Sequence, residues 1–342
     1  MKHYNIPIFV PHRGCPFDCI FCNQKHITGK NFDVNENDVK RIIKEHLITL
    51  PKNSDDCIIE AAFFGGSFTG IDFDVQGKLL SAAYEFVLSG DISGIRLSTR
   101  PDYIDKRILD QLKKYSVTTI ELGVQSLDDN VLKVANRGHT SEDVFNAVKL
   151  IKEYGFTLGL QMMTGLPTDT DEGAKKTADK IISLRPDFVR IYPTLVVKDT
   201  YLEKMYQNGE YIPPTLNNAV ELCADLLEKF NDANINVIRV ALQTTDEISP
   251  HGSIVAGPFD SQFRELVESK IYFDKFQKAL RNLKYKNPVI FVNPKEISKA
   301  IGQKRMNLIK LLSQFGVSIL IKPCVDVKKG DFIISDGVES EG

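Results

Sequence analysis

The 342-residue chain has no apolar run that approaches the roughly 20 residues needed to cross a membrane. Its first residues, Met1–Pro7, lack the charged and apolar segments of a secretory signal peptide. No internal repeat and no low-complexity tract is present. These absences argue against a membrane protein and predict a cytoplasmic one, in which thiols stay reduced. The six cysteines therefore need not form three disulfides.

Three of the cysteines lie within eight residues, in the segment Gly14–Cys22. Cys15, Cys19 and Cys22 have three and then two residues between them. A loop with this spacing can give three thiolates to three irons of a [4Fe–4S] cube. The fourth iron then has no protein ligand, and an open metal position is typical of a reactive site.

A structural zinc site is the alternative for this loop. It would need a fourth ligand, for which His12 and His26 are the nearest histidines. Cys57, Cys223 and Cys324 each stand alone in apolar stretches, and we expect them to be small buried hydrophobic residues.

Charge is unevenly distributed along the chain, whose net charge is −2. Residues 271–330 contain 13 Lys or Arg and three acidic residues, so this window carries +10 and the remainder −12. The pattern predicts a basic module attached to an acidic catalytic body.

Apolar segments with strand character alternate with amphipathic helices at intervals of roughly 30 residues. The strands are predicted at Ile6–Pro11, Cys57–Phe64, Gly94–Ser98, Thr118–Gly123, Thr157–Met163, Phe188–Tyr192 and Asn236–Leu242. The helices are predicted at Glu36–Leu50, Gln76–Leu88, Ile104–Tyr115, Glu142–Tyr154, Glu172–Leu184 and Asn217–Ala233. This alternation indicates the α/β class and a full or partial (β/α) barrel, with function at the carboxyl ends of the strands. An open doubly wound sheet is the alternative fold.

The pattern changes near residue 250, where turn-forming residues are followed by a predicted helix from Ser261 to about Leu283. A compact α+β unit comes next, with its elements predicted at Val289–Asn293 (strand), Pro294–Ile301 (helix), Gly302–Arg305 (turn), Met306–Phe315 (helix) and Ser318–Lys322 (strand). We therefore divide the chain into a barrel (1–248), a linker and helix (249–285) and a basic module (286–342).

The segment Phe63–Gly70 ends the second predicted strand. Its paired glycines, Gly65 and Gly66, would let a ligand approach the backbone without obstruction by side chains. Many strand-to-helix turns contain two glycines, so this feature is not specific by itself.

Polar side chains follow the fourth predicted strand. Gln125 and Ser126 emerge where a barrel presents side chains to a ligand, although Ser126 could simply cap a helix. Arg137 could bind a carboxylate through two hydrogen bonds, or it could form a surface ion pair. We expect His139 to be a structural hydrogen-bonding residue and not a base.

The cysteine loop and the strand ends together resemble radical S-adenosylmethionine (SAM) enzymes. The resemblance is detailed for the catalytic subunit of the Elongator complex and its bacterial and archaeal relatives, and it covers roughly residues 5–245. Besides the cysteine loop, it is carried by Thr99–Asp102, Gly123–Ser126, Asn136–Thr140, Met162–Met163, Leu166–Pro167, Arg185–Asp187, Tyr192–Val196 and Arg239–Val240.

The resemblance implies a [4Fe–4S] cluster on Cys15, Cys19 and Cys22, with SAM as the second cofactor. It implies reductive cleavage of SAM to a 5′-deoxyadenosyl radical, an electron donor such as flavodoxin or ferredoxin, and modification of the wobble uridine of tRNA. By the same resemblance, the residues expected to bind SAM are Phe21, Gly65, Gly66, Ser67, Thr99, Gln125, Ser126 and Arg137. No residue is singled out as acting on the substrate.

Two parts of Elongator-type enzymes are not expected here, namely the tRNA-binding extension before the barrel and the acetyltransferase-like domain after it. Use of acetyl-CoA is therefore not implied. Two alternatives stay open. One is a radical SAM enzyme for a small molecule, as in coproporphyrinogen III oxidase, although Gln24 replaces the further cysteine typical of that enzyme. The other is an RNA-binding iron–sulfur protein without enzymatic activity.

The basic module resembles a KH RNA-binding domain, whose Gly-x-x-Gly loop clamps backbone phosphates. The corresponding loop is Gly302-Gln-Lys-Arg305, with Arg305 in place of the second glycine. The resemblance implies RNA contacts at Gly302, Lys304 and Arg305. The alternative is a packing domain with a solvated basic face.

Overall fold

The computed structural model describes residues 2–10, 19–23, 34–242, 249, 252–281 and 287–336. The chain forms two compact units. The first contains residues 1–215 and 230–259, and the second contains residues 216–229 and 260–342. The domain limits predicted from the sequence, at residues 248 and 285, stay a prediction.

The first unit is built on a seven-stranded parallel sheet. Its strands are β1 (Lys2–Val10), β2 (Cys57–Gly65), β3 (Gly94–Thr99), β4 (Val117–Gln125), β5 (Thr157–Thr164), β6 (Phe188–Pro193) and β8 (Asn236–Val240). The strands pair in the order in which they occur in the chain. This order confirms the predicted barrel type, because a doubly wound sheet reverses its strand order at a switch point. In the part of the chain that the structure describes, β1 and β8 do not pair with each other, so the barrel is partial.

Helices connect the parallel strands. They are α1 (Glu36–Leu47), α2 (Phe73–Leu88), α3 (Lys106–Lys114), α4 (Asp129–Val134), α5 (Ser141–Glu153), α6 (Asp171–Leu184), α7 (Tyr201–Gln207) and α8 (Leu216–Asp232). Several begin at polar capping residues. Asn35 forms a capping box with Asp38 at the start of α1, and Thr140 forms one with Asp143 at the start of α5. None of the described helices is long and apolar enough to span a membrane.

A short antiparallel pair joins two segments that the sequence pattern did not predict as strands. β7 (Val196–Val197) follows β6, and it pairs with β9 (Ile254–Ala256). Both strands lie in the first unit, as does α7 between them.

One face of the parallel sheet carries a row of charged side chains from β1, β2, β3, β4 and β6. His3 Nε2 lies 2.6 Å from Glu60 Oε2. Arg96 lies between two carboxylates, with its Nη1 at 3.5 Å from Glu60 Oε2 and its Nη2 at 3.1 Å from Glu121 Oε1. Arg190 Nε completes the row at 2.7 Å from Glu121 Oε2.

The centre of this ionic row is removed from solvent, since Glu60, Arg96 and Glu121 are each less than 5% exposed. Burial alone would raise the pKa of Glu60. The hydrogen bond from His3 and the charge of Arg96 outweigh it and hold that pKa below its usual range. Glu60 is therefore ionised, and both buried carboxylates have arginine partners.

The second unit contains α9 (Phe263–Arg281), α10 (Ile297–Ile301) and α11 (Met306–Phe315) with strands β10 (Pro288–Val292), β11 (Leu320–Pro323) and β12 (Phe332–Asp336). β10 lies in the centre of the sheet, parallel to β11 and antiparallel to β12. The strand–helix–turn–helix–strand order predicted for this region is present. The core includes Tyr272, Phe276, Ile290 and Leu311.

The cysteines outside the metal loop behave largely as expected. Cys57 and Cys223 are buried, and neither forms a disulfide with another described cysteine. Cys324 is only partly buried, because it follows β11 at the edge of the three-stranded sheet.

We expect Glu121→Leu to lower the free energy of unfolding by about 3–5 kcal/mol, because it leaves two buried arginines without their shared carboxylate. Urea denaturation of the purified variant measures the effect. Glu85→Gln removes a carboxylate from a solvent-exposed pair with Lys40 and should leave the stability nearly unchanged. Equal changes in the free energy of unfolding for the two variants would contradict a stabilising role of the ionic row.

Candidate active site

Two of the three clustered cysteines lie on one turn. The backbone N–H of Cys22 donates to the carbonyl oxygen of Cys19 at 3.0 Å. Cys19 is buried and Cys22 is half-buried, and neither forms a disulfide with another described cysteine. Cys15 lies outside the described residues, as do His12 and His26 of the zinc alternative.

Segments from later in the chain hold this turn in place. Ile20 N donates to Ala135 O at 3.2 Å, and Leu202 N donates to Ile20 O at 2.8 Å. The three side chains also form one apolar cluster with Val196 and Tyr211. The segment after β6 therefore packs directly on the cysteine loop.

Phe21, between the two described cysteines, is partly buried and touches two apolar clusters. One is the cluster of Ile20, and the other contains Val131, Met163 and Leu166 from the ends of neighbouring elements. Its side chain is thus fixed near the ends of the strands. The adenine contact that the resemblance implies for Phe21 stays a prediction.

The glycine turn after β2 is supported by buried hydroxyl groups. Ser67 Oγ and Thr99 Oγ1 are 2.9 Å apart, and Thr69 Oγ1 lies 2.6 Å from the same Thr99 oxygen. Ser67 and Thr99 are at most 4% exposed, so these contacts tie the turn to the end of β3. Gly65 and Gly66 are half-buried, and the turn presents their backbone to solvent. Gly65 has φ = +105°, which favours glycine.

Gln125 ends β4 in a left-handed conformation, with φ = +66°. Its Oε1 accepts a hydrogen bond from Gln161 Nε2 on β5 at 3.2 Å. Strained backbone of this kind at a strand end is frequent at functional sites.

Ser126 has a different environment. Its hydroxyl is buried and accepts a hydrogen bond from the backbone N–H of Asp128, the N-cap residue of α4, at 3.1 Å. This contact favours the alternative in which Ser126 organises the helix start. Its role in binding SAM stays a prediction.

Arg137 joins the cysteine loop to the end of β4. Its Nη1 donates to Cys19 Sγ at 3.4 Å, and its Nη2 donates to Gly123 O at 2.8 Å. The residue is 8% exposed, so the alternative of a surface ion pair is wrong. Its buried Nε has no partner among the described residues.

Gly123 makes this close approach possible. A Cβ at this position would lie 2.7 Å from Arg137 Nη2 and 2.9 Å from Gln125 Nε2. The sequence gives no signal that Gly123 makes room for Arg137, because it shows Gly123 only as part of the motif Gly123–Ser126. The glycine leaves room for two polar side chains to converge on one strand end.

Comparison with known protein families shows to which superfamily the chain belongs. The Radical SAM superfamily model matches residues 9–181, and the Radical_SAM C-terminal domain model matches residues 186–272. The chain belongs to the radical SAM superfamily. It is therefore an enzyme, and the cofactors of this superfamily are a [4Fe–4S] cluster and SAM.

Individual relatives agree with this assignment. The tRNA uridine(34) acetyltransferase of Methanocaldococcus jannaschii is 30% identical over 212 residues, covering 56% of this chain and 38% of that protein. An uncharacterised protein of the same organism is 31% identical over 236 residues, covering 66% of this chain and 72% of the other. The chain thus spans well under half the length of that acetyltransferase.

The fold is shared with the solved structure of the Methanocaldococcus infernus Elp3 that lacks its N-terminus. The two align with a TM-score of 0.62 and 24% identity, over 83% of this chain and 64% of the other. This similarity confirms the radical SAM fold, and it supports the fold alone.

The described residues fit the two radical SAM cofactors. Thiols are the ligands that iron–sulfur clusters require, and Cys19 and Cys22 share one turn. Arg137 has an unpartnered buried N–H, and the glycine turn offers backbone groups. A carboxylate-bearing ligand such as SAM could use both.

His139 is buried beneath this site and is 3% exposed. Its Nε2 lies 3.2 Å from Val124 O, to which it donates a hydrogen bond. Burial, together with the positive charge of Arg137, lowers the pKa of His139 to about 3. The imidazole is therefore neutral near pH 7, as expected of a structural residue.

The predicted RNA contacts lie in the second unit. Gly302 has φ = +77°, and a Cβ there would lie 2.9 Å from Ser269 Oγ. Lys304 and Arg305 both adopt left-handed conformations, with φ of +51° and +62°, and both are exposed. Arg305 thus takes the kind of backbone conformation that favours glycine.

We expect His139→Gln to reduce the loss of unfolding free energy that accompanies a fall in pH. In the unfolded chain His139 takes up a proton near pH 6.5, whereas in the folded protein it does so only near pH 3. The unfolding free energy of the wild type thus falls as the pH drops through this window, by up to about 1.4 kcal/mol per pH unit. The variant keeps an N–H donor for Val124 O but has no imidazole to protonate. Its unfolding free energy should therefore lack the pH dependence that His139 contributes. Urea denaturation at several pH values tests it, and parallel profiles would refute it.

Proposed function

We propose that this radical SAM enzyme modifies a uridine of tRNA, with its cluster on Cys15, Cys19 and Cys22. The observation that carries the proposal is the Arg137 side chain, which links the cysteine loop to the glycine-lined end of β4. Similarity to the M. jannaschii tRNA uridine(34) acetyltransferase supports the choice of substrate.

When bound, the cluster and SAM would together supply a 5′-deoxyadenosyl radical, because one electron from the cluster would break a carbon–sulfur bond of SAM and release methionine. Such a radical can abstract hydrogen from an unactivated C–H bond. In our proposal the protein binds and aims this reagent. The half-buried backbone of Gly65 and Gly66 would bind the amino group, and Arg137 would bind the carboxylate. Gln125 would contact the ribose hydroxyls, while Phe21 would pack on the adenine.

Ser67 and Thr99 would act at one remove from SAM. Their hydroxyl groups are buried and hydrogen-bonded to one another. They would therefore hold the glycine turn in the conformation that binds SAM. Their own hydrogen bonds would be made within the protein and not to the ligand.

Apolar residues would protect the reaction from water. The cluster formed by Ile20, Leu202 and Tyr211 covers one side of the cysteine loop. Exclusion of water prevents quenching of reactive intermediates by side reactions. An external electron donor of the flavodoxin or ferredoxin type would supply the electron.

The second unit would bind the RNA. Lys304 and Arg305 are exposed at the start of α11, and three apolar residues of that helix, Met306, Ile309 and Leu312, are 45–55% exposed. A basic loop beside an apolar helix face suits single-stranded RNA, because the loop can bind phosphates while the bases pack on the helix.

We expect Cys19→Ala to abolish assembly of the complete cluster, because one of three thiolate ligands is lost. After anaerobic reconstitution with iron and sulfide, the variant should lack the brown chromophore. It should form no 5′-deoxyadenosine with dithionite and SAM. In a strain that lacks the gene, only the wild type should restore the modified uridine, as detected by mass spectrometry of tRNA nucleosides.

Cys324→Ala is the matched control, since it removes a free cysteine from the second unit and should preserve all three properties. A full cluster spectrum in Cys19→Ala would refute the ligand assignment. Formation of 5′-deoxyadenosine without any change in tRNA nucleosides would point to a small-molecule substrate.

We expect the double variant Lys304→Glu, Arg305→Glu to weaken tRNA binding and to reduce its dependence on salt. Loss of two phosphate contacts should lower the slope of log affinity against log salt by about two. Filter binding at several salt concentrations measures both quantities. The control is Lys328→Glu with Lys329→Glu, which makes the same charge change at another exposed site of this unit. Equal loss in both double variants would indicate a diffuse basic face instead of a specific loop.

A further inference from the structure

We propose that Arg137 raises the reduction potential of the cluster by donating a hydrogen bond to the sulfur of Cys19. The inference rests on the proposed function, because it takes Cys19 as a cluster ligand. In this role Arg137 acts through the cysteine and does not touch the iron.

The contact joins a permanent cation to a buried thiol. Arg137 Nη1 lies 3.4 Å from Cys19 Sγ, and each residue is 8% exposed. The guanidinium of arginine is a planar cation with several N–H donors. With so little solvent to screen it, its charge acts strongly on the thiolate that would bind iron.

The guanidinium is also held in a fixed position. Its Nη2 donates to Gly123 O at 2.8 Å, and the absence of a Cβ on Gly123 leaves room for it. In the described ranges, no carboxylate forms an ion pair with Arg137 to neutralise its charge. The full positive charge is therefore available to the sulfur.

Reduction adds one electron to the cluster and its thiolates, so the reduced form carries one more negative charge. A fixed cationic donor to a ligand sulfur stabilises that form more than the oxidised form. Hydrogen bonds to the sulfurs and net charge are among the factors that set iron–sulfur potentials. Arg137 should therefore make the one-electron reduction easier.

The test is a redox titration of reconstituted protein without SAM, using dithionite as the electron source and the electron paramagnetic resonance of the reduced cluster as the signal. Omitting SAM separates this role from any contact between Arg137 and the cofactor. We expect Arg137→Gln to lower the equilibrium constant for reduction at least tenfold, which is 59 mV for one electron. Arg137→Lys, which keeps the charge but not both contacts, should give a smaller shift in the same direction.

Two further variants separate the hydrogen bond from overall charge. Gly123→Ala keeps Arg137 but places a Cβ 2.7 Å from its Nη2, so it should also lower the potential by displacing the guanidinium. Lys133→Gln removes one exposed positive charge from α4 and should leave the potential at the wild-type value.

Clusters of wild-type potential in Arg137→Gln and Gly123→Ala would overturn this inference alone. A wild-type chain that assembles no cluster would overturn the proposed function and this inference with it. If Arg137→Gln assembles no cluster, Arg137→Lys and Gly123→Ala provide the measurement.

Discussion

Pairing of consecutive parallel strands is the constraint on which the site depends. Because β2, β3 and β4 are neighbours that run in the same direction, their carboxyl ends at Gly65, Thr99 and Gln125 lie side by side on one rim. The same pairing places alternate residues of each strand on one face of the sheet. Charged residues that are buried there need partners of opposite charge. Arg96, which lies between two carboxylates, is the centre of the ionic row.

The inner strands of the barrel could be predicted because most of their residues are buried on both faces. Parallel strands of this kind appear as short apolar runs, and the turns between them are marked by glycine and proline. β7 and β9 could not be found in this way. β7 has two residues, and its partner at Ile254–Ala256 lies more than 50 residues later, so neither segment has a local signal.

The residue types of the site were predictable, whereas several of their roles were not. Contact of Ser67 and Thr99 with SAM stays a prediction, and the structure adds that their hydroxyls hold the glycine turn against β3. Arg137 was expected to face a carboxylate, and the structure adds its contact with Cys19, which lies 118 residues away in the sequence. Side-chain partners at such separations follow from the fold and leave no trace in spacing. The low pKa of His139 likewise depends on burial that the motif alone does not reveal.

The hydrogen bond from Leu202 to Ile20 has a consequence for biosynthesis. The cysteine loop is made before the segment that covers it, since Leu202 lies more than 180 residues after Ile20. We therefore expect the thiols to be most accessible before this segment is made. Packing of α7 then covers the loop from one side, so access to the thiols narrows as the barrel is completed.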